Sequence, residues 1–230
     1  MIMQYESNVF SFRVFQFVAN FTAAQRSCYL ERTLIVENEV INIIKTRRSI
    51  RKYQSRQISE ADLNCILEAA TYAPSGSNSQ SWLFTAIQNE KILLELNEVV
   101  RTAFLNLELA ENEYPAKIAA KKSAANPGYN FYYHAPTLII ASNVPNYANA
   151  MADCSTALQN IFLTATSLNL GSCWINQLRW LDANPGVRDY LEKLGIPKEH
   201  TVCGTAAVGW IDGAAPKAPA RKPNTANIIR

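Results

Sequence analysis

Apolar residues recur at helical spacing in the first half of the chain. A first helix is predicted over about 38–46, and one face of it carries Val40, Ile43, Ile44 and Arg47. A second helix is predicted after Ser59, whose hydroxyl can cap it, with Asp62 at the third position of a capping box. Its apolar stripe consists of Leu63, Ile66, Leu67 and Ala70. Pro74 closes this helix, and a third helix is predicted over roughly 90–111.

Runs of β-branched and apolar residues predict the strands. They cover about 82–88, 135–143 and 201–210, and a short strand begins "SCWINQL". The run at 135–143 is continuously apolar, which predicts a central strand buried on both faces.

Two further segments are helical but differ in character. Residues 151–170 are apolar or small almost all the way round, which predicts a helix buried in a core or between subunits, ended by Gly171. Residues 113–130 are polar and rich in Lys and Ala, which predicts a mobile helical lid that ends in a turn. A short helix is also predicted in "ANPGVRDYLEKLGI". This order of helices and strands favours an α+β fold over a regular βαβ alternation.

The composition is that of one globular domain, with or without an appendage. The chain has 230 residues, of which 48% are hydrophobic and 18% are charged. A net charge of +3 is too small to favour nucleic acid as a partner. No run of about 18 apolar residues predicts a membrane span. The low share of charge hints that a second subunit covers part of the surface.

The first 35 residues show no regular pattern. They lack the basic start of a signal peptide and carry Arg13 within their apolar part. One hypothesis is that Val36 is the true initiator, so that 36–230 is the domain and 1–35 a misassigned start. The alternative is a genuine extension wrapped on the surface or on a partner, and mass spectrometry of the native N-terminus distinguishes the two.

Cysteine and histidine usage argues against a metal site. Five cysteines are scattered without a CxxC pair, which suits buried thiols in a reducing cytoplasm. His134 and His200 are the chain's two histidines, and His134 is interpreted as a packed or bridging residue rather than a base. No nucleotide-binding or nucleophile motif is present, so an enzyme built this way takes its chemistry from a cofactor.

Three polar stretches are candidates for binding. In "TRRSIRK", arginine side chains could bind a phosphate, although a basic helix end is usually only solvated. In "APSGSNSQSW", amides and hydroxyls could read the edge of a flat polar heterocycle, although an elaborate helix cap explains them too. "GSCWINQ" together with the late residues Arg221 and Lys222 could supply a second anion contact.

In this order along the chain, the three stretches resemble the FMN-dependent nitroreductase family. The match includes "YYHAPTLIIAS", "LGSCWI", "AAVGW" and "ARKP" and covers roughly Val36 to Arg230. The resemblance implies an α+β fold, with a mixed central sheet flanked by helices, and an intertwined homodimer. The long central helix would lie at the subunit interface, the C-terminal tail would cross the partner, and each FMN would touch both chains.

The resemblance also implies roles for the basic residues. Arg47, Arg48 and Ser49 would hold the FMN phosphate and ribityl chain, and Arg221 would complete the phosphate site. Arg51 would lie at the pyrimidine end of the flavin, where a positive charge favours the reduced, anionic form.

The polar loop receives its role from the same resemblance. Asn78 and Gln80 would hydrogen-bond the pyrimidine edge, while Pro74 and Ser75 would shape the loop and reach the cofactor of the other chain. Backbone groups from Trp174 to Gln177, including Asn176, would lie near the flavin N5. Some nitroreductases have Pro-x-Glu-Gly at these four positions, so the substrate preference does not carry over with the fold.

The implied activity is the reduction of an electron-poor small molecule. NADH or NADPH would pass hydride to the flavin N5 and leave, and a nitroaromatic or quinone would then take its place in a ping-pong sequence. Alternatives on the same fold are a flavin dehalogenase or an ene-type reductase. Outside catalysis, the alternatives are a protein that stores or senses FMN, and a colourless module whose basic stretches bind an anionic partner.

Overall fold

The computed structural model describes residues 38–230, so the proposed extension over 1–35 lies outside the described residues. The elements follow in this order: α1 (Glu39–Thr46), α2 (Glu60–Thr71), β1 (Leu83–Ile87), α3 (Glu90–Leu105), α4 (Pro115–Ala124), β2 (Thr137–Asn143), α5 (Ala150–Ser167), β3 (Leu170–Ile175), α6 (Gln177–Trp180), α7 (Pro185–Lys193) and β4 (Thr201–Trp210). In this part of the chain, no helix is long and apolar enough to span a bilayer.

The strands form one sheet in the order β1-β2-β4-β3, and every neighbouring pair is antiparallel. All seven residues of β2 are buried, which confirms the predicted central strand. The predicted mixed sheet is therefore antiparallel throughout its described ladders, and the parallel pairing seen here is an isolated bridge between Ser49 and Ser172.

Helices cover both faces of the sheet, which explains why the antiparallel strand β2 can be buried along its whole length. Successive residues of a strand point to opposite faces. Leu138 and Ile140 belong to one core layer with α3, α4 and α7. Ile139 and Ala141 belong to the other layer, with α2 and α5. This arrangement confirms the α+β class.

The start of α2 has the predicted capping box. Ser59 Oγ accepts from the N–H of Asp62 at 3.0 Å, and the Asp62 carboxylate accepts from the Ser59 N–H at 3.4 Å. The predicted stripe also packs inward, with Ile66 and Ala70 fully buried.

Two helix ends differ from the prediction. The third helix ends at Leu105 rather than near residue 111, and a new helix begins at Pro115, whose ring favours the first position of a helix. The central helix ends at Ser167 rather than at Gly171, because Asn169 takes the left-handed conformation that breaks it (φ 58°).

One stripe along the central helix α5 is exposed to solvent in the single chain, and we call it the open stripe. Ala152, Thr156 and Gln159 on this stripe are exposed, whereas Leu158 and Ile161 are buried. The helix is therefore not buried on every side within one chain, and coverage of the stripe by a second subunit stays a prediction.

Gly171 lies inside β3, where the backbone leaves no space for a side chain. A Cβ at this position would lie 2.9 Å from side-chain atoms of Ile50 and Ile211. We expect Gly171→Ala to lower the free energy of unfolding by about 1–3 kcal/mol through overpacking. Urea unfolding measures this effect. Gly128→Ala, where a Cβ meets nothing within 4 Å, should leave the midpoint almost unchanged, and equal midpoints for the two variants would contradict the packing argument.

Candidate active site

A cavity of about 510 Å³ lies beyond the end of β3. Aromatic and amide side chains from this end line it, namely Trp174, Asn176, Gln177 and Trp180. Small residues of α4 form another part of the wall, namely Ala116, Ala119, Ala120 and Ser123. The volume lies within the range of small-molecule and cofactor sites.

Arg51 brings a positive charge to this cavity. Its guanidinium carbon lies 5.8 Å from the ring centroid of Tyr133, which also lines the cavity. The pKa of Arg51 is raised, first by the negative charge that Cys173 carries when it is ionised and then, against partial burial, by Tyr133. Burial in turn raises the pKa of Cys173, although Arg51 and Arg47 lower it. At neutral pH we expect a neutral thiol beside a protonated Arg51.

The segment before β2 supplies Tyr129 and Tyr133 to the cavity, and its backbone is strained at Tyr133. Tyr133 and His134 both take left-handed φ values, 57° and 56°. The Asn130 side-chain oxygen accepts from the backbone N–H groups of Tyr132 (3.2 Å) and His134 (2.8 Å), which holds this conformation. Such strain is concentrated at functional sites.

Tyr129 places a buried hydroxyl in the wall of the cavity. This hydroxyl has no hydrogen-bond partner within residues 38–230, and burial raises its pKa. A buried donor in this state is costly unless a partner satisfies it.

The basic stretch after α1 is tied to β3. Ser49 forms a bridge with Ser172, and the Ile50 N–H donates to the Ser172 carbonyl at 2.9 Å. Arg47 and Arg51 consequently lie close enough to Cys173 to affect its pKa. The stretch therefore adjoins the cavity.

Arg48 has a structural contact as well. Its Nη1 donates to the carbonyls of Lys45 (2.8 Å) and Arg47 (2.6 Å) at the end of α1, which is the interaction of a cation with a helix C-terminus. Its Nε is buried without a partner among the described groups. One N–H of the guanidinium is thus left unsatisfied by the described groups.

The polar loop lies apart from this cavity within the single chain. Its members Pro74, Ser75, Asn78 and Gln80 do not line the cavity. The backbone N–H of Gln80 donates to Ser75 Oγ at 3.1 Å, and Gln80 Nε2 donates to Asn78 Oδ1 at 3.0 Å. Arg221 also lies elsewhere, exposed in a tail without regular secondary structure.

The predicted residues thus divide into two groups. Arg51, Asn176 and Gln177 share the cavity, and Arg47, Arg48 and Ser49 adjoin it through β3. The loop residues and Arg221 are not among the described residues that line this cavity. Sequence reasoning missed Tyr129, Tyr133 and Trp180, although the aromatic cluster in "GYNFYYH" was an available signal.

The predicted lid contains a helix, α4, which packs against the rest of the fold. Arg101 Nε donates to the Ala124 carbonyl at 3.0 Å, and Lys121 Nζ donates to the Leu107 carbonyl. At its other end, the rings of Tyr114 and Trp180 meet edge to face at 6.1 Å. The helical character is confirmed, whereas movement of this segment stays a prediction.

The start of α4 should respond to acid through Glu113. Its pKa is lowered from the ordinary value of 4.5, first by the hydrogen bond from Lys117 Nζ (2.8 Å) and then by the Tyr114 N–H. Because the folded pKa lies below the unfolded one, this contribution is present above pH 4.5 and is lost as the pH falls through the folded pKa. We expect amide protection over 114–118 to fall there in the natural protein.

The Glu113 effect is measured by hydrogen exchange corrected for intrinsic rates. Glu113→Gln should show the reduced protection at every pH, since its amide carries no charge for Lys117. The exposed pair of Lys91 and Glu95, 4.0 Å apart, is the control and should show no matching change in α3. Identical pH profiles of the natural protein and Glu113→Gln would contradict this role.

Comparison with known proteins gives a consistent result. The model of the Nitroreductase family matches residues 44–210. A nitroreductase with bound FMN from Bacteroides fragilis is 44% identical, with a TM-score of 0.77, over 84% of this chain and 100% of that one. A protein of Archaeoglobus fulgidus named "Putative NADH dehydrogenase/NAD(P)H nitroreductase" is 32% identical over 75% of this chain and 85% of its own length. The 4-nitrobenzoate reductase of a Nocardioides strain is 26% identical over 76% of this chain and 81% of its own length.

Proposed function

The chain belongs to the nitroreductase family, and from this premise we propose that it is an FMN-dependent oxidoreductase. It takes electrons from NADH or NADPH and delivers them to an electron-poor acceptor such as a nitroaromatic or a quinone. The observation that carries the proposal is the cavity at the end of β3, where aromatic rings, amides and the Arg51 guanidinium meet. The FMN-bound relative from Bacteroides fragilis supports the cofactor.

The residues present fit FMN in their chemistry. A flat, polar ring system suits the aromatic and amide lining, and the lining residues that the structure describes include no carboxylate. Two buried hydrogen-bond donors, the Tyr129 hydroxyl and the Arg48 Nε, have no acceptor within residues 38–230. Buried donors of this kind are costly unless a partner satisfies them, which a bound acceptor-rich molecule does.

Each group has a stated task in the proposal. FMN, when bound, carries hydride between NAD(P)H and the acceptor. Arg47, Arg48 and Ser49 hold its phosphate and ribityl chain, and Arg51 holds a positive charge at the pyrimidine end. Backbone groups from Trp174 to Gln177 would lie near the flavin N5. Because one cavity serves both small molecules, donor and acceptor occupy it in turn, which gives ping-pong kinetics.

The separation of the loop from the cavity supports a shared site in a homodimer. Pro74, Ser75, Asn78, Gln80 and Arg221 contact FMN in the site of the second copy, since their own cavity does not include them. The open stripe on α5 and the exposed tail are then covered by the partner. The domain runs over 36–230, with 1–35 as an extension or a misassigned start.

The test begins with the visible spectrum of the purified protein and the identification of any chromophore released from it. We expect a yellow protein that releases about one FMN per chain. Addition of NADH or NADPH should bleach it, and a nitroaromatic or quinone should restore the colour rapidly. A colourless protein that does not bind added FMN would contradict the proposal. Slow recovery with every acceptor would favour a protein that stores or senses FMN.

A further inference from the structure

Both backbone polar groups of one residue in the polar loop, Gly76, are held by α5 and the residues before it. The Gly76 N–H donates to both carboxylate oxygens of Asp153, at 3.2 Å each. The Gly76 carbonyl accepts from the Tyr147 hydroxyl at 2.8 Å. Asp153 is 5% exposed and lies in the first turn of α5, where the helix dipole favours a negative charge. We call Asp153, Tyr147 and Gly76 the loop clamp.

Further bonds extend the contact along the loop. The Tyr147 hydroxyl also receives hydrogen bonds from Ser79 Oγ (3.1 Å) and Asn149 Nδ2 (3.4 Å). Thr156 Oγ1 donates to the Pro74 carbonyl at 3.4 Å. The loop is therefore attached to one end of α5 from Pro74 to Ser79.

The attached loop has a strained backbone. Ser77, Asn78 and Gln80 take left-handed φ values of 52°, 54° and 46°. A left-handed conformation is unfavourable for a residue other than glycine and persists only where surrounding contacts determine it. The clamp provides contacts of that kind.

Asp153 is an unusual residue for a merely structural contact. It is a buried carboxylate without an ion pair to a described cation, and both of its oxygens accept from the Gly76 N–H. Burial of a charge without a counter-ion is unfavourable. An apolar residue would pack here at lower cost if the conformation of this exposed loop had no function.

We propose that Asp153 and Tyr147 are positioning residues, which hold the polar loop in the conformation that completes the FMN site of the second copy. The inference rests on the proposed function, because the loop does not line its own cavity. Asp153 and Tyr147 act through Gly76 and touch no cofactor themselves.

The geometry at Gly76 offers a variant that opens the clamp and keeps both positioning residues. A Cβ there would lie 2.1 Å from Asn149 Nδ2 and 2.4 Å from the Tyr147 hydroxyl. Gly76→Ala therefore displaces these side chains. Tyr147→Phe and Asp153→Asn remove hydrogen-bonding groups with little change of shape.

Two readouts test the inference, and the first needs no cofactor. Hydrogen exchange over 75–81 in the FMN-free protein should accelerate in all three variants. The second is the affinity for FMN with the absorption spectrum of the bound flavin. We expect Tyr147→Phe to weaken FMN binding about threefold to tenfold and to shift the spectrum, while thermal unfolding changes no more than in the control.

The matched control is Tyr190→Phe, which deletes a hydroxyl bonded to Glu95 at 2.9 Å in a different part of the fold. It should leave loop exchange, FMN affinity and the flavin spectrum unchanged. Equal loss of FMN in the control would show general destabilisation and overturn the positioning role. Unchanged FMN affinity in all three variants, or unchanged loop exchange, would overturn the inference alone. If the natural protein itself bound no FMN, the proposed function would fail, and the positioning role with it.

Discussion

Replacing Arg47 with Ala is expected to weaken FMN binding about tenfold or more. The expected loss is a charge-assisted hydrogen bond to the phosphate, worth roughly 1.5–3 kcal/mol, and tenfold corresponds to about 1.4 kcal/mol. Arg47 is half-buried beside β3, and no hydrogen bond joins its side chain to another described residue, so its removal should cost little folding stability. Fluorescence titration of FMN into the stripped protein measures the effect.

Two variants make the Arg47 result specific. Arg47→Lys keeps the charge but not the planar fork, so an intermediate loss is expected. Lys91→Ala removes one positive charge from a site that is 85% exposed and should leave FMN binding unchanged. An Arg47→Ala protein with natural FMN affinity would show that the phosphate lies elsewhere.

Arg47→Ala also tests whether two chains share each site. Asn78→Ala alone should reduce the free energy of FMN binding by more than it reduces the free energy of unfolding. In a mixture of Arg47→Ala and Asn78→Ala chains that exchange subunits, a shared site leaves about a quarter of all sites with both natural residues. Recovery of that fraction of tight FMN binding supports the second-copy role of the loop. No recovery would assign Asn78 to the cavity of its own chain or to no site.

Replacing Asp182 with Ala is expected to lower the free energy of unfolding by about 3 kcal/mol. One carboxylate oxygen accepts from Arg188 Nη1 (3.0 Å) and the Val202 N–H (3.1 Å), and the other accepts from Thr201 Oγ1 (2.6 Å). The side chains of Asp182 and Arg188 are only 20% and 16% exposed. Removal of the carboxylate therefore leaves the Thr201 hydroxyl and the Val202 N–H without this acceptor. Among the described groups, the poorly solvated guanidinium then keeps only the His200 carbonyl at 2.9 Å and the more distant Glu192 at 3.8 Å.

The control for Asp182 is an ion pair of shorter distance but greater exposure. Lys52 Nζ lies 2.7 Å from Asp212, and their side chains are 76% and 45% exposed. Asp212→Ala should cost less than about 1 kcal/mol. Urea unfolding of the FMN-free protein measures both variants. Equal losses would contradict the argument that solvent exposure, rather than distance, sets the value of these pairs.

Local sequence signals predicted most elements well. Ser59 and Asp62 mark the start of α2 because a capping box satisfies its partners within three residues. The predicted run 135–143 marks the central strand, observed at Thr137–Asn143, because a strand buried on both faces needs an almost continuous apolar stretch. Predictions failed where a helix end had several possible residues, since Asn169 rather than Gly171 took the left-handed conformation.

By itself, the sequence determined most of the helices and strands and the α+β class, which follow from periodicity, caps and residue chemistry acting over a few positions. The family pattern in the basic and polar stretches came from their resemblance to known proteins. Only the tertiary structure decided that Arg51, Tyr133 and Trp174 share a cavity and that the polar loop lies outside it. It alone joined Gly76 to Asp153, 77 positions apart. Such contacts depend on how helices pack on the sheet, and no local pattern encodes that packing.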